Sequence, residues 1–151
     1  ILIFDTASGA DAKVMTFLKM ADQAVLVTTP DPASIVDCYS TAKVLFRYKK
    51  DAKVSVAVNM AGSFEQARIS FEAIESAAKT FLNKQVNYLG CIRKDSTAVE
   101  MSRKRRPFVL EAPELEASED VRTLAAVLIE MLSAPESRLE DTISYIYRKA
   151  A

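Results

Sequence analysis

Apolar residues along the chain fall alternately into short, β-branched runs and longer stretches with helical spacing. Residues 1–4 (ILIF), 24–29 (AVLVTT), 53–59 (KVSVAVN) and 86–92 (VNYLGCI) read as buried strands, because they are apolar, short and free of a helical stripe. Between them the spacing changes. Val14, Phe17, Leu18 and Ala21 share one helical face, and Ile35, Val36, Tyr39, Ala42, Val44 and Leu45 form a wider one from Ser34 to about Tyr48. Phe64, Ala67, Phe71, Ile74, Ala78, Phe81 and Leu82 make a long third helix. Val121, Leu124, Ala125, Leu128, Ile129 and Leu132 mark another over 118–132, and Leu139, Ile143, Ile146 and Tyr147 an amphipathic last one over 137–149. Strands alternating with helices predict an α/β fold: a parallel sheet with right-handed crossovers, covered by helices on both faces.

The polar punctuation agrees with this division. Pro30-Asp31-Pro32 stops the second run, since each proline lacks an N–H and restricts its predecessor, and Asp31 or Ser34 can cap the helix that follows. Ser63 to Gln66 has the form of a capping box. Asp95 is an acidic cap before a short helix that carries Val99 and Met101 and ends in Arg103-Lys104-Arg105-Arg106, where Pro107 stops it. Phe108-Val109-Leu110 is expected to pack back, residues 111–116 form an acidic connector, and Ser118 is the expected cap of the helix after it. All 151 residues read as one domain. Because the first residue already lies in an apparent strand, further chain is expected before it.

Composition narrows the function. Lys+Arg and Asp+Glu are 20 each, so no global charge favours nucleic acid, and any anionic partner would need a local patch such as 103–106. That patch also fits a solvated helix end whose cations complement the dipole. No apolar run approaches the roughly 20 residues that span a bilayer. Two lone cysteines, Cys38 and Cys91, suggest reduced core thiols of a cytoplasmic protein. With no histidine in the chain, a histidine triad or histidine-ligated metal is excluded. Asp5, at the end of the first apolar run, is placed either to hold Mg²⁺ through water or to serve an ordinary helix-capping loop. Asn59, at the end of the third, could offer its amide to a ligand base. The proline loop after residue 29 stands where α/β sheets bind ligands, although the same pattern serves a plain strand–helix turn.

The stretches ILIFDTASGAD, ADQAVLVTTPDPASIVDCYSTAKVL, VSVAVNMAGS and VNYLGCIRKDSTAVEMSRKRRPFVLEAP together resemble the second half of a MinD/ParA-type deviant-Walker ATPase, in its flagellar-number regulator (FlhG) branch. The resemblance covers nearly all of residues 1–132, and the Thr28-to-Ser40 motif is its most specific part. It implies a P-loop NTPase-like three-layer α/β/α fold that is incomplete at the N-terminus, with ATP or ADP and Mg²⁺ as cofactors. Asp5 then matches the Walker B aspartate, Gly9 the switch II glycine that senses the γ-phosphate, and Asn59 the adenine-binding asparagine. Arg93, Lys94 and Asp95 match the loop beside the base, and Asp37 a helix aspartate on a partner surface.

The chain also departs from the family. The lysine-bearing phosphate loop and the switch I aspartate do not occur in it, Ala7 and Ser8 replace Gly and Ala, and Arg93 replaces a proline. The resemblance therefore implies a nucleotide-switched ATPase that forms a homodimer with ATP and acts with flagellar or polar proteins, while these residues alone would not hydrolyse ATP. A non-catalytic scaffold of the same fold, or a ParA-type partitioning relative, is the alternative. The 137–149 helix is expected to pack within the protein, with peripheral contact at the inner face of the membrane as its secondary role.

Overall fold

The computed structural model describes residues 1–133. Three parallel strands, β1 (Ala24–Thr28), β2 (Val54–Ala61) and β3 (Asn87–Arg93), lie in the order β1-β2-β3. The helices are α1 (Ala12–Met20), α2 (Pro32–Tyr48), α3 (Phe64–Leu82), α4 (Ser96–Arg103), the short α5 (Phe108–Glu111) and α6 (Glu116–Ser133). The α/β class and the parallel sheet follow the expectation. The helix expected over 137–149 lies outside the described residues.

One strand does not form. Residues 1–4 are irregular and exposed, with Ile1, Leu2 and Ile3 at 77–87 % of their full accessibility. An apolar run becomes a strand only where a neighbour takes its backbone hydrogen bonds, and among the described residues β1 pairs with β2 alone.

The helices divide between the two faces of the sheet. On one face Ala24, Leu26, Val54, Val56, Val58, Tyr88 and Cys91 pack with Leu45 and Phe46 of α2, Phe71 and Ile74 of α3, and Val14 and Met15 of α1. Phe71 and Tyr88 stack with ring centroids 4.9 Å apart. On the other face Ala57 and Leu89 meet Val127 and Met131 of α6, joined by Leu124 and Leu128. The buried side of α6 is therefore turned from the expected one, since Ile129 and Leu132 are exposed and Val127 and Met131 are inside. Gly90 helps to fix that helix. Its φ of +133° is one that L side chains rarely adopt, and a Cβ there would sit 3.4 Å from Leu124 Cγ.

Helix ends show which caps operate. Asp31, not Ser34, caps α2, accepting from the Ala33 and Ser34 amides with Pro32 in the first turn. Ser63 caps α3 by accepting from Gln66 N–H at 3.1 Å. The reciprocal bond of the box is displaced by one residue, because Gln66 Oε1 accepts from Gly62 N–H at 2.7 Å. Ser118 is not a cap. It lies two residues inside α6, fully buried, and its hydroxyl donates to Ala112 C=O at 2.8 Å. That bond holds the 112–115 connector against α6. Phe108 and Val109 pack as expected, but Leu110 is 78 % exposed.

Candidate functional site

In a parallel sheet every strand ends at the same edge, so the segments that follow the strands converge there. The register makes this concrete. Thr28 sits opposite Val58, Asn59 opposite Ile92, and Ala61 opposite Arg93, while Lys94 N–H donates to Ala61 C=O at 2.8 Å. Asn59 and the 92–95 loop therefore stand side by side at the carboxyl edge, next to the end of β1.

A bulge shapes the middle of this edge. The β2–β3 register shifts between Asn59 and Ala61, and Met60 takes φ 57°, a left-handed conformation that costs a non-glycine residue about 1 kcal/mol or more. Met60 N–H donates to Asn59 Oδ1 at 2.8 Å, which fixes the side-chain oxygen and leaves the amide N–H groups of Asn59 as donors. Toward β1, the Ser34 hydroxyl lies 3.0 Å from the buried Thr28 hydroxyl and accepts from Thr29 N–H at 3.0 Å. These bonds tie the proline loop to the strand it leaves.

Arg93 has a different environment from its two neighbours. Its Nε and Nη2 donate to the two oxygens of Asp120, both at 2.9 Å, and its backbone N–H also donates to Asp120 Oδ2. Nη1 meets Glu116 at 2.9 Å, and the guanidinium carbon lies 4.9 Å from the centre of the Phe64 ring. Asp120 is buried, and its hydrogen bond raises the Arg93 pKa above the usual guanidinium value against the opposing effect of burial. The guanidinium thus clasps α6 and the start of α3 to the end of β3. Asp95 is the N-cap of α4, accepting from Thr97 and Ala98 N–H at 2.7 and 3.0 Å. Lys94 is exposed.

The remaining candidates lie apart from this cluster. Asp5 is exposed in the irregular chain before α1 and makes no hydrogen bond or ion pair within the described residues. Gly9 has φ +97° in the same segment, and a Cβ there would meet nothing within 4 Å. Asp37 is exposed on α2. Among the described residues no group of three His, Cys, Asp or Glu side chains is placed to hold a metal ion. A groove of about 430 Å³ opens between the starts of α2 and α3, lined by Pro30, Ile35, Ser63, Gln66, Ile69 and Ser70 among others. Sequence reasoning did not find this groove, although its polar lip is signalled by two capped helices that follow neighbouring strands. Asp120, Glu116 and Phe64 were also missed. Each looks like an ordinary helix residue, and their meeting with Arg93 is a long-range event.

Burial raises the thiol pKa of Cys38 to about 11, and burial raises that of Cys91 as well, so neither is poised as a nucleophile.

The fold and the edge define an α/β protein whose polar loops gather at the carboxyl ends of parallel strands. No family model matches the chain. It is similar to the flagellum site-determining protein YlxH of Helicobacter pylori, 29 % identical over 132 residues, which are 87 % of this chain and 44 % of that protein. It is also similar to the antiactivator FleN of Pseudomonas aeruginosa, 30 % identical over 118 residues, or 78 % of this chain and 42 % of that one. The chain spans less than half the length of either relative. No helix among the described residues is long and apolar enough to cross a membrane.

Proposed function

We propose that the chain is part of a MinD/ParA-type ATPase of the flagellar-number regulator branch, working as a nucleotide-dependent dimerisation switch. The observation that carries this reading is the pairing of Asn59 with Ile92, which sets an amide donor beside the 92–95 loop at the ligand-binding edge of a parallel sheet. The similarity to a flagellum site-determining protein and to an antiactivator supports the biological setting.

In this reading Asn59 donates to the purine base of ATP or ADP. Lys94 and Asp95 flank the base, with Arg93 holding their loop in place, and Asp5 holds Mg²⁺ through water. Gly9 lies near the γ-phosphate, and Asp37 belongs to the surface that meets flagellar or polar proteins. The bound nucleotide would supply the phosphate charge whose loss resets the homodimer. The edge fits a base, because Asn59 keeps free donors there. The phosphates would need cations and backbone amides that these 151 residues do not supply in the family's pattern. The chain by itself is therefore expected to release no phosphate from ATP. Mg²⁺-dependent release that disappears in Asp5→Ala would overturn that expectation. ADP titrated into the chain should bind more weakly to Asn59→Ala by about tenfold, the worth of one well-placed hydrogen bond. Equal binding by the two forms would remove Asn59 from the base site.

One observation favours a second reading, a non-catalytic scaffold of the same fold. The Arg93 guanidinium is already satisfied by Asp120 and Glu116, as a residue kept for structure would be. Equal absence of ADP binding in the chain and in Asn59→Ala would select this scaffold.

A further inference from the structure

The turn between α4 and α5 contains the chain's one dense basic run, and its backbone is unusual. Arg105 N–H bonds Ser102 C=O at 3.0 Å and Arg106 N–H bonds Met101 C=O at 2.9 Å, the paired bonds of a Schellman helix end. That ending places Arg105 in the left-handed position, φ 57°, which glycine occupies without strain. At the end of α3 the chain meets the same demand with Asn83, φ 52°, a residue type that tolerates it. At 105 it carries a cation instead.

The four cations are not equivalent. Lys104 pairs with Glu100 one turn back, and Arg106 pairs with Glu111 of α5. Arg103 and Arg105 are exposed and make no ion pair within the described residues. The Arg106–Glu111 pair holds α5 against the turn, and Glu111's neighbour Leu110 is 78 % exposed on a helix whose Phe108 and Val109 are partly buried. Two guanidinium forks with no ion pair among the described residues and one exposed leucine thus fall between residues 103 and 110, across the turn and the short helix that the Arg106–Glu111 pair joins to it.

We propose that this turn docks an acidic, leucine-bearing segment of a partner protein, with Arg103 and Arg105 receiving its carboxylates and Leu110 its apolar side chain. Planar guanidinium groups suit bidentate carboxylate recognition better than ammonium groups do. The surrounding acids set the footprint. Glu100 and Glu111 already take up Lys104 and Arg106, so the turn offers a partner two guanidinium groups, a footprint that suits a narrow acidic peptide better than a bilayer or a duplex. The inference stands apart from the nucleotide reading, since none of these residues belongs to the Asn59 edge.

The test titrates a fluorescein-labelled peptide of alternating glutamate and leucine into the 151-residue chain, followed by anisotropy. Binding is expected to weaken with salt. Arg105→Gly should lower affinity about tenfold, as for one lost charge-assisted contact, while the melting temperature stays level or rises because the strain is relieved. Arg103→Ser, which alters no special backbone position, should lower affinity similarly and serves as the second variant. No binding by the unaltered chain would overturn the proposal, as would affinity in both variants equal to that of the unaltered chain. Tighter binding to phosphatidylglycerol vesicles or to a single-stranded oligonucleotide than to the peptide would also overturn it.

Discussion

The two faces of the sheet are built by different means. The face under α1, α2 and α3 is a continuous apolar layer in which Leu45, Phe71, Ile74, Val56 and Val58 are completely inaccessible. Among the described residues the face under α6 has a core of four buried residues and depends on particular polar and backbone features. These are the Arg93–Asp120 clasp, the Ser118 hydroxyl on Ala112 C=O, and the glycine under Leu124. The first face is stabilised by area and packing, which spread any loss over many contacts. The second is held at a few points, so a loss at any one of them falls on α6 more than on the rest of the fold. The candidate site lies at the end of the sheet where both arrangements meet, because Arg93 reaches Phe64 of α3 as well as α6.

The sharpest way to break this contrast is Phe71→Ala, which removes a fully buried ring and its stacking on Tyr88. It should cost about 3–5 kcal/mol in urea unfolding, with all probes changing together. A loss below 1 kcal/mol would mean that the packed face is looser than its burial implies. Asp120→Ala acts on the other face. It leaves a guanidinium and a backbone N–H without their carboxylate and should cost about 2 kcal/mol. Its distinguishing result is local: hydrogen exchange should speed up in α6 and the 92–95 loop while α2 and α3 stay protected. Uniform loss of protection would show that the two faces unfold as one.

The smallest effect comes from Cys38, buried in the packed face with its pKa raised to about 11. The unfolded thiol ionises near pH 9 and the folded one later, so the folded state holds its proton more tightly. Cys38 therefore contributes stability that is complete below pH 9 and is lost as pH rises toward 11, on the order of 1 kcal/mol of it by pH 10. Cys38→Ala should show a correspondingly shallower fall in stability over that range. Identical slopes would place the thiol in water.

Hydrophobic spacing made the packed face legible. The span of α3 agrees with its pattern to the residue, and Asp95 and Ser63 cap the helices they were expected to cap. Parallel topology then follows from the alternation of elements, and with it the shared edge of Asn59 and the 92–95 loop. The α6 face was not legible for a physical reason. Which side of an amphipathic helix faces inward depends on what it meets, and Asp120 is buried only because Arg93, 27 residues earlier, lies opposite. The first apolar run misled for a related reason, since β propensity describes a residue's fit to a sheet and supplies no neighbouring strand. Met60 and Arg105 left no trace in the pattern, because left-handed backbone at a non-glycine residue is imposed by the structure around it.

The uneven covering of β1 has a consequence for the sheet as a whole. Val27 is 63 % exposed, β1 carries no lysine, proline or acid along its five residues, and the described chain leaves one side of its backbone unpaired. Natural sheets usually guard such a border with charge or kinks, since an unguarded one templates pairing between molecules. Within the described residues this border is therefore where a further strand would add to the sheet, and such pairing would resist added salt, because backbone pairing and apolar contact are not screened as charges are.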